Sequence, residues 1–263
     1  MHGGHSNCFE NLCHKGFDVK KFRLITPSRP GYGKTQLTGN RTPKQAAALI
    51  MELLNQLSIT SFVVYGVSAG GLTAIELASN YPGKVSKLIL ASAISKKWLD
   101  KEEKIYKTAK RIFNPRVEKY VWGMVRLFST IFPKMIAKSF YPQFSNKPSH
   151  KLKKDDVDEL ISAMRNYSSK NGFLNDIDQS IDEEILTTIK CPTLIIHSEN
   201  DASVPFEHAL HSSKMIDNSR IVKLNNEWGH LFWIGTDSIE PITRTIDFLN
   251  GKALASESNK IID

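Results

Sequence analysis

Three residues spread along the 263-residue chain have the types that nucleophilic catalysis needs: Ser68, Asp201 and His230. A serine hydroxyl is a weak nucleophile until a base takes its proton. An imidazole does this well when a carboxylate holds its tautomer. Ser68 lies in Gly66-Val67-Ser68-Ala69-Gly70-Gly71. Glycine and serine are common, so the pattern carries weight only through context. The apolar run 61–66, "SFVVYG", precedes it and a helical pattern, "GLTAIELASN", follows. A serine at such a strand–turn–helix junction takes a strained backbone angle that small neighbours permit. The Ala69 amide, at the helix start, is left to meet a negatively charged oxygen. Asp201, in "HSENDASVP", follows the apolar run "PTLIIH", and His230, in "NEWGHLFW", follows "RIVKLN". Both therefore fall at C-terminal ends of expected parallel strands, the rim where open α/β sheets place their sites. Glu199 is the main rival for the acid, and Asp100 a more distant one.

The elements that must position these residues alternate in type. Residues 22–26, "FRLIT", read as a short strand, as do 61–66, "VSKLILAS", "PTLIIH" and "RIVKLN". Thr42 followed by Pro43 reads as an N-cap with proline at N1, and Ala46, Leu49, Ile50, Leu53, Leu54 and Leu57 recur at helical spacing behind it. Helices also follow at "GLTAIELASN", after Pro205, and at "PITRTIDFL". Strands alternating with helices predict an α/β fold with a mostly parallel sheet flanked by helices. The alternation breaks over 96–175, where the pattern is helical throughout. There Val117, Val121, Met124, Val125 and Phe128 share one face, and Val157, Leu160, Ile161 and Met164 another. The expected organisation is a core of 1–95 and 176–263 carrying a helical cap of 96–175.

Two competing chemistries fail on local grounds. "PSRPGYGKT" at 27–35 ends like a P-loop, but position 28 is Ser, Pro30 removes an amide from the cradle, and no helix opens until Pro43. His2, His5, Cys8, Cys13 and His14 invite a zinc reading, yet their spacings match no common structural finger. No metal and no cofactor is expected. The three cysteines, Cys8, Cys13 and Cys191, do not make a disulfide framework and point to a reducing compartment. The first residues lack a basic segment followed by an apolar core, so the expected location is the cytoplasm.

The net charge of +8 is concentrated in one segment: from Lys96 to Lys154 there are 16 Lys or Arg against 4 Asp or Glu. That distribution argues against a general nucleic-acid binder. The plain expectation is a cap with a solvated basic outer face. The sharper one is a cap that rests on anionic lipid or favours acidic substrates.

With these motifs the chain resembles the α/β-hydrolases of the small esterase and lipase-like kind. The order Ser68, Asp201, His230 is similar to that family's triad. His2-Gly3-Gly4 resembles its "HG" oxyanion loop, and "RLITPSRPGYGKT" its D-x-P-G-x-G-x-S loop, with Ser28 in place of the usual Asp. The resemblance implies that the Gly4 and Ala69 amides form an oxyanion hole and that the cap shapes the acyl pocket. It implies a serine hydrolase acting on a carboxylic ester or similar small acyl substrate. The serine argues against the aspartate chemistry of dehalogenases and epoxide hydrolases. Acyl transfer, C–C bond hydrolysis and aminopeptidase activity share the triad, and a non-catalytic binding protein on the same fold is the reading from another class. The family's HG loop follows a central strand between the equivalents of 22–26 and 61–66. Here that strand is missing, so the expectation is a natural form with additional N-terminal residues ahead of Met1.

Overall fold

The computed structural model describes residues 1–149, 152–165 and 167–252. Lys151, counted in the basic segment, lies outside them. Among the described residues four strands form one parallel sheet in the order β1-β2-β3-β4: β1 Phe62–Val67, β2 Val85–Ala91, β3 Thr193–Ser198 and β4 Ser219–Leu224. Their β-branched and leucine-rich runs suit strands covered on both faces. In β2, Leu88 and Leu90 pack on one side with Ile50, Leu54, Ile75 and Leu77. Ile89 and Ala91 face the other side with Phe232, Trp233 and Phe248.

The covering helices begin where expected. α1, Pro43–Gln56, opens on a capping box: the Gln45 amide donates to Thr42 Oγ1 at 3.2 Å and the Thr42 amide to Gln45 Oε1 at 3.1 Å. α2, Gly71–Asn80, packs beside α1 under β1 and β2. Between β2 and β3 come α3 Lys104–Ile112, α4 Pro115–Ile131, α5 Pro133–Phe140, α6 Lys154–Met164 and the short α7 Gly172–Asp176. α8 Glu207–Met215 follows β3 and α9 Ile239–Leu249 follows β4.

Residues 22–26 form no strand. An apolar run becomes a strand only beside a partner that takes its amides and carbonyls. Here β1 is the edge of the sheet, and a cavity of about 410 Å³, lined by Phe22, Ile25, Val63 and Tyr65 among others, separates the two segments. At the top of that edge Met1 continues the pairing: its carbonyl accepts the Val67 N–H at 3.0 Å and its amine donates to the Tyr65 carbonyl. The cavity lies between the two segments that the family pattern would separate by a strand.

The face shared by Val117, Val121, Met124, Val125 and Phe128 also differs from a single inward stripe. Val117, Met124 and Phe128 are exposed, while Val121 and Val125 are half-buried around the buried Trp122.

Candidate active site

Ser68 stands directly after β1, in a single tight turn before α2, with φ at 50°. A serine rarely adopts this left-handed region. Its carbonyl is pinned by the Ile94 amide at 3.0 Å, so the junction is fixed from the neighbouring strand end. Ser68 Oγ makes no hydrogen bond among the described residues, and the side chain is nearly buried, at 8% exposure.

The backbone of residues 3 and 4 lies against this turn. A Cβ on Gly3 would sit 3.1 Å from Ser68 Cβ, and one on Gly4 would strike the Phe173 ring at 2.6 Å. The loop is held from behind by Arg29. The Arg29 amide donates to His2 Nε2 at 2.9 Å, so a neutral His2 carries its proton on Nδ1. Burial, followed by the Arg29 charge, holds the His2 pKa well below its usual value and keeps the ring neutral. His2 Nδ1 then donates to the Gly3 carbonyl at 2.8 Å, and Arg29 Nη2 donates to the same oxygen at 3.1 Å. Arg29 Nε donates to the His2 carbonyl at 2.9 Å. Both lone pairs of the Gly3 carbonyl are used, which fixes the plane of the Gly3–Gly4 peptide and polarises the Gly4 N–H. Arg29 in turn makes a bidentate pair with Asp176 at 2.9 and 2.6 Å, and Tyr32 Oη donates to Asp176 at 2.5 Å. Arg29 and Asp176 are 147 positions apart in sequence, and no local signal joined them.

Asp201 and His230 meet as a pair: His230 Nδ1 donates to Asp201 Oδ2 at 2.8 Å. The other carboxylate oxygen accepts the Ser203 and Val204 amides, each at 2.8 Å. A second imidazole, His197 on β3, brings Nε2 to 3.1 Å from Asp201 Oδ2 and 2.9 Å from the Val204 carbonyl, so this nitrogen carries a proton. Burial would raise the Asp201 pKa, but His230 and His197 outweigh it and bring it down to about 2. Ser92 Oγ, at the end of β2, donates to the His230 carbonyl at 3.1 Å, which ties the histidine loop to that strand end. The Phe144 carbonyl accepts both the His230 amide at 2.8 Å and the Ala202 amide at 3.2 Å, tying the acid loop to the base loop. Gly229 permits this crossing: its φ is +49°, and a Cβ there would meet that carbonyl at 2.4 Å.

The alternatives are occupied elsewhere. Glu199 pairs with Lys223 at 3.0 Å, and Asp100 pairs with Lys97 in an exposed turn. His5 and His14 have separate partners, Ser169 Oγ at 2.5 Å and Thr26 Oγ1 at 3.0 Å. Ser28 Oγ accepts the Cys8 amide at 3.1 Å, and the Gly31 to Thr35 segment closes on itself as a turn. None of Ser68, Asp201 and His230 lines the 410 Å³ cavity beside β1.

Aromatic side chains from the helical segment cover the glycine loop. Trp122 stacks on His5 with ring centroids 3.8 Å apart, and Phe113 packs on Phe173 at 4.3 Å. His5 Nε2 and Trp122 Nε1 are buried without a hydrogen-bond partner among the described residues. Burial, with the Arg126 charge, brings the His5 pKa down to about 3, so its ring is neutral.

A family model described as alpha/beta hydrolase fold matches residues 3–234. A Bacillus subtilis (strain 168) protein, described as the uncharacterized hydrolase YcgS, is 36% identical over 255 residues, covering 95% of this chain and 89% of the relative. Among solved structures, an alpha/beta hydrolase fold protein from Nakamurella multipartita superposes with a TM-score of 0.80 at 24% identity, covering 94% of this chain and 90% of that one. An esterase from Exiguobacterium antarcticum superposes with a TM-score of 0.65 at 23% identity, over 96% of this chain and 90% of that one.

Proposed function

Since the chain belongs to the α/β-hydrolase fold family, we propose that it is a serine hydrolase cleaving carboxylic esters or related small acyl substrates. One observation carries the reading. A buried Asp201–His230 pair at 2.8 Å shares the strand-end rim with a serine at φ 50° and with the Gly3–Gly4 backbone beside it.

Ser68 Oγ attacks the acyl carbonyl while His230 Nε2 takes its proton. Asp201 keeps the imidazole proton on Nδ1 and stabilises the imidazolium that forms. The developing oxyanion is met by the Gly4 and Ala69 amides, donors set in place before reaction and able to stabilise charge without reorganising. The C–O bond breaks as His230 returns the proton to the leaving alcohol. Water, activated by the same imidazole, then releases the acid and restores Ser68. The balance closes with substrate and water alone. Residues 96–175 act as the cap, with Trp122, Phe113 and Phe173 excluding water from the acyl side.

Covalent labelling with a fluorophosphonate tests the assignment. The wild type is expected to be labelled and Ser68→Ala not, with nitrophenyl-ester hydrolysis falling at least about 10³-fold in the variant. Folded wild-type protein that is neither labelled nor active would instead identify a binding protein on this fold. Labelling that survives in Ser68→Ala would move the nucleophile to another residue.

A further inference from the structure

α4 is amphipathic twice over. Its inner face carries Trp122 onto His5 and sends Glu118 inward, where the carboxylate accepts the Ser169 amide at 2.6 Å and the Lys170 amide at 3.1 Å. Its outer face is not the solvated basic surface that the charge alone suggests. Val117, Tyr120, Met124, Leu127, Phe128 and Ile131 are between 37% and 65% exposed. At about 100° per residue these six fall within an arc of about 100°, along a helix of about 25 Å. The stripe continues through Phe132 and Met135, 51% and 57% exposed, onto α5. Soluble surfaces scatter such residues singly, and a contiguous run of this kind marks a contact surface.

Charge decides what the contact is with. From Lys104 to Lys138 nine residues are Lys or Arg and one, Glu118, is acidic. Glu118 is turned inward, so no carboxylate from this stretch faces out. Lys110 is neutralised by Asp178 at 2.7 Å, but Arg116, Lys119, Lys134 and Lys138 are exposed beside the stripe. A second copy docking face to face would bring two basic surfaces together and be opposed by its own charge. A surface that is apolar a few ångströms deep and negative at its rim satisfies both features at once. No helix among the described residues is long and apolar enough to cross a membrane, so the stripe would lie along such a surface.

We propose that the outer face of α3–α5 is an interfacial docking site for an anionic lipid bilayer, with the apolar stripe of α4 entering the headgroup boundary and the flanking Lys and Arg meeting lipid phosphates. The site is independent of the chemistry assigned to Ser68. Because the opposite face of α4 covers the glycine loop, docking brings the covered site to the bilayer surface.

Co-sedimentation of the full chain with phosphatidylcholine vesicles, with and without phosphatidylglycerol, tests this directly. The expected result is binding to the anionic vesicles only, weakened by salt, with Leu127→Glu/Ile131→Glu and Lys119→Glu/Lys134→Glu each lowering the partition coefficient at least about tenfold. Thermal unfolding by circular dichroism should be unchanged in both variants, so a folding defect is seen separately. Failure to bind anionic vesicles overturns the proposal, as does equal binding with and without phosphatidylglycerol. A wild-type dimer in size-exclusion chromatography that Leu127→Glu/Ile131→Glu converts to monomer, without any vesicle binding, would assign the stripe to a second copy instead.

Discussion

The rim around Ser68 and the outer face of α4 are built on opposite terms. At the rim the buried charges are tied several times over: Arg29 to Asp176 and to two carbonyls, Asp201 to two amides and two imidazoles. On the outer face large apolar side chains stand in solvent, with 60% of Leu127 exposed. One region spends its sequence on holding a few backbone amides in position. The other leaves contacts unmade. The difference teaches where substitutions should be costly, and it can be broken experimentally from both sides.

The sharpest break is Arg29→Met. The substitution leaves Asp176 buried with Tyr32 as its remaining partner and strips hydrogen bonds from the His2 and Gly3 carbonyls. Removing one member of a buried pair costs about 3–5 kcal/mol, because the other charge stays desolvated and unpaired. Urea unfolding should show a loss of that size, with part of it recovered in Arg29→Met/Asp176→Leu. In whatever fraction remains folded, kcat should fall with KM nearly preserved, since the loosened group is the Gly4 amide rather than a substrate contact. A loss below about 1 kcal/mol would mean that the rim is held by packing and not by this wire.

The second test is pH. His208 on α8 accepts the Ser95 amide through Nδ1 at 3.1 Å. Burial, then the charges of His197 and Lys96, brings its pKa down to about 4. The sign follows directly. The unfolded chain takes up a proton near pH 6.5 that the folded chain refuses until about pH 4, so stability falls as pH drops through that window. At about 1.4 kcal/mol per unit, the loss from this residue by pH 4.5 is about 2 to 3 kcal/mol. Subtracting the urea stability curve of His208→Gln, whose amide oxygen can accept the same Ser95 N–H, isolates it from His2 and His5. The difference should be nearly flat above pH 7 and grow below pH 6. A flat difference at all pH values would show that His208 is not buried in its neutral form.

How far the sequence alone could reach follows the same division. The strand-end positions of Ser68, Asp201 and His230 were legible because each follows an apolar run that had to be a strand, and strand ends of a parallel sheet share one rim. Thr42 as an N-cap with Pro43 at N1 was legible because capping is decided within a few residues. Arg29 was not, although it lies in the P-loop-like run 27–35. Its partner Asp176 is brought near by the fold of all the intervening chain, β1 and β2 as well as the helices. Residues 22–26 misled because apolarity is local and strand pairing is not. In α4 the spacing announced one apolar face, but periodicity cannot say whether protein or something else covers it, and the helix divides those residues between a half-buried edge and an exposed one. His197 was missed because an imidazole inside a strand run reads as core.

The smallest expected effect lies in α4 and tests the comparison most severely, because both faces belong to one helix. Leu127→Gln changes a side chain that is 60% exposed, at a position where helix propensity is similar for the two residues. If the outer face owes the fold nothing, the stability change is within about 0.5 kcal/mol. Glutamine also keeps the volume roughly constant and adds no charge, so any shift reports burial rather than electrostatics. Equilibrium urea unfolding of wild type and variant, with equal slopes, is sufficient to read it. A loss above about 1 kcal/mol would mean that Leu127 is covered in solution by the protein itself, in a second copy or a rearranged cap. Stability unchanged in solution, together with a change in vesicle binding, would fix the contrast: a rim whose Arg29, Asp176, Asp201 and His230 are tied to one another's loops around an unbonded serine, and a helix face whose partner lies outside the molecule.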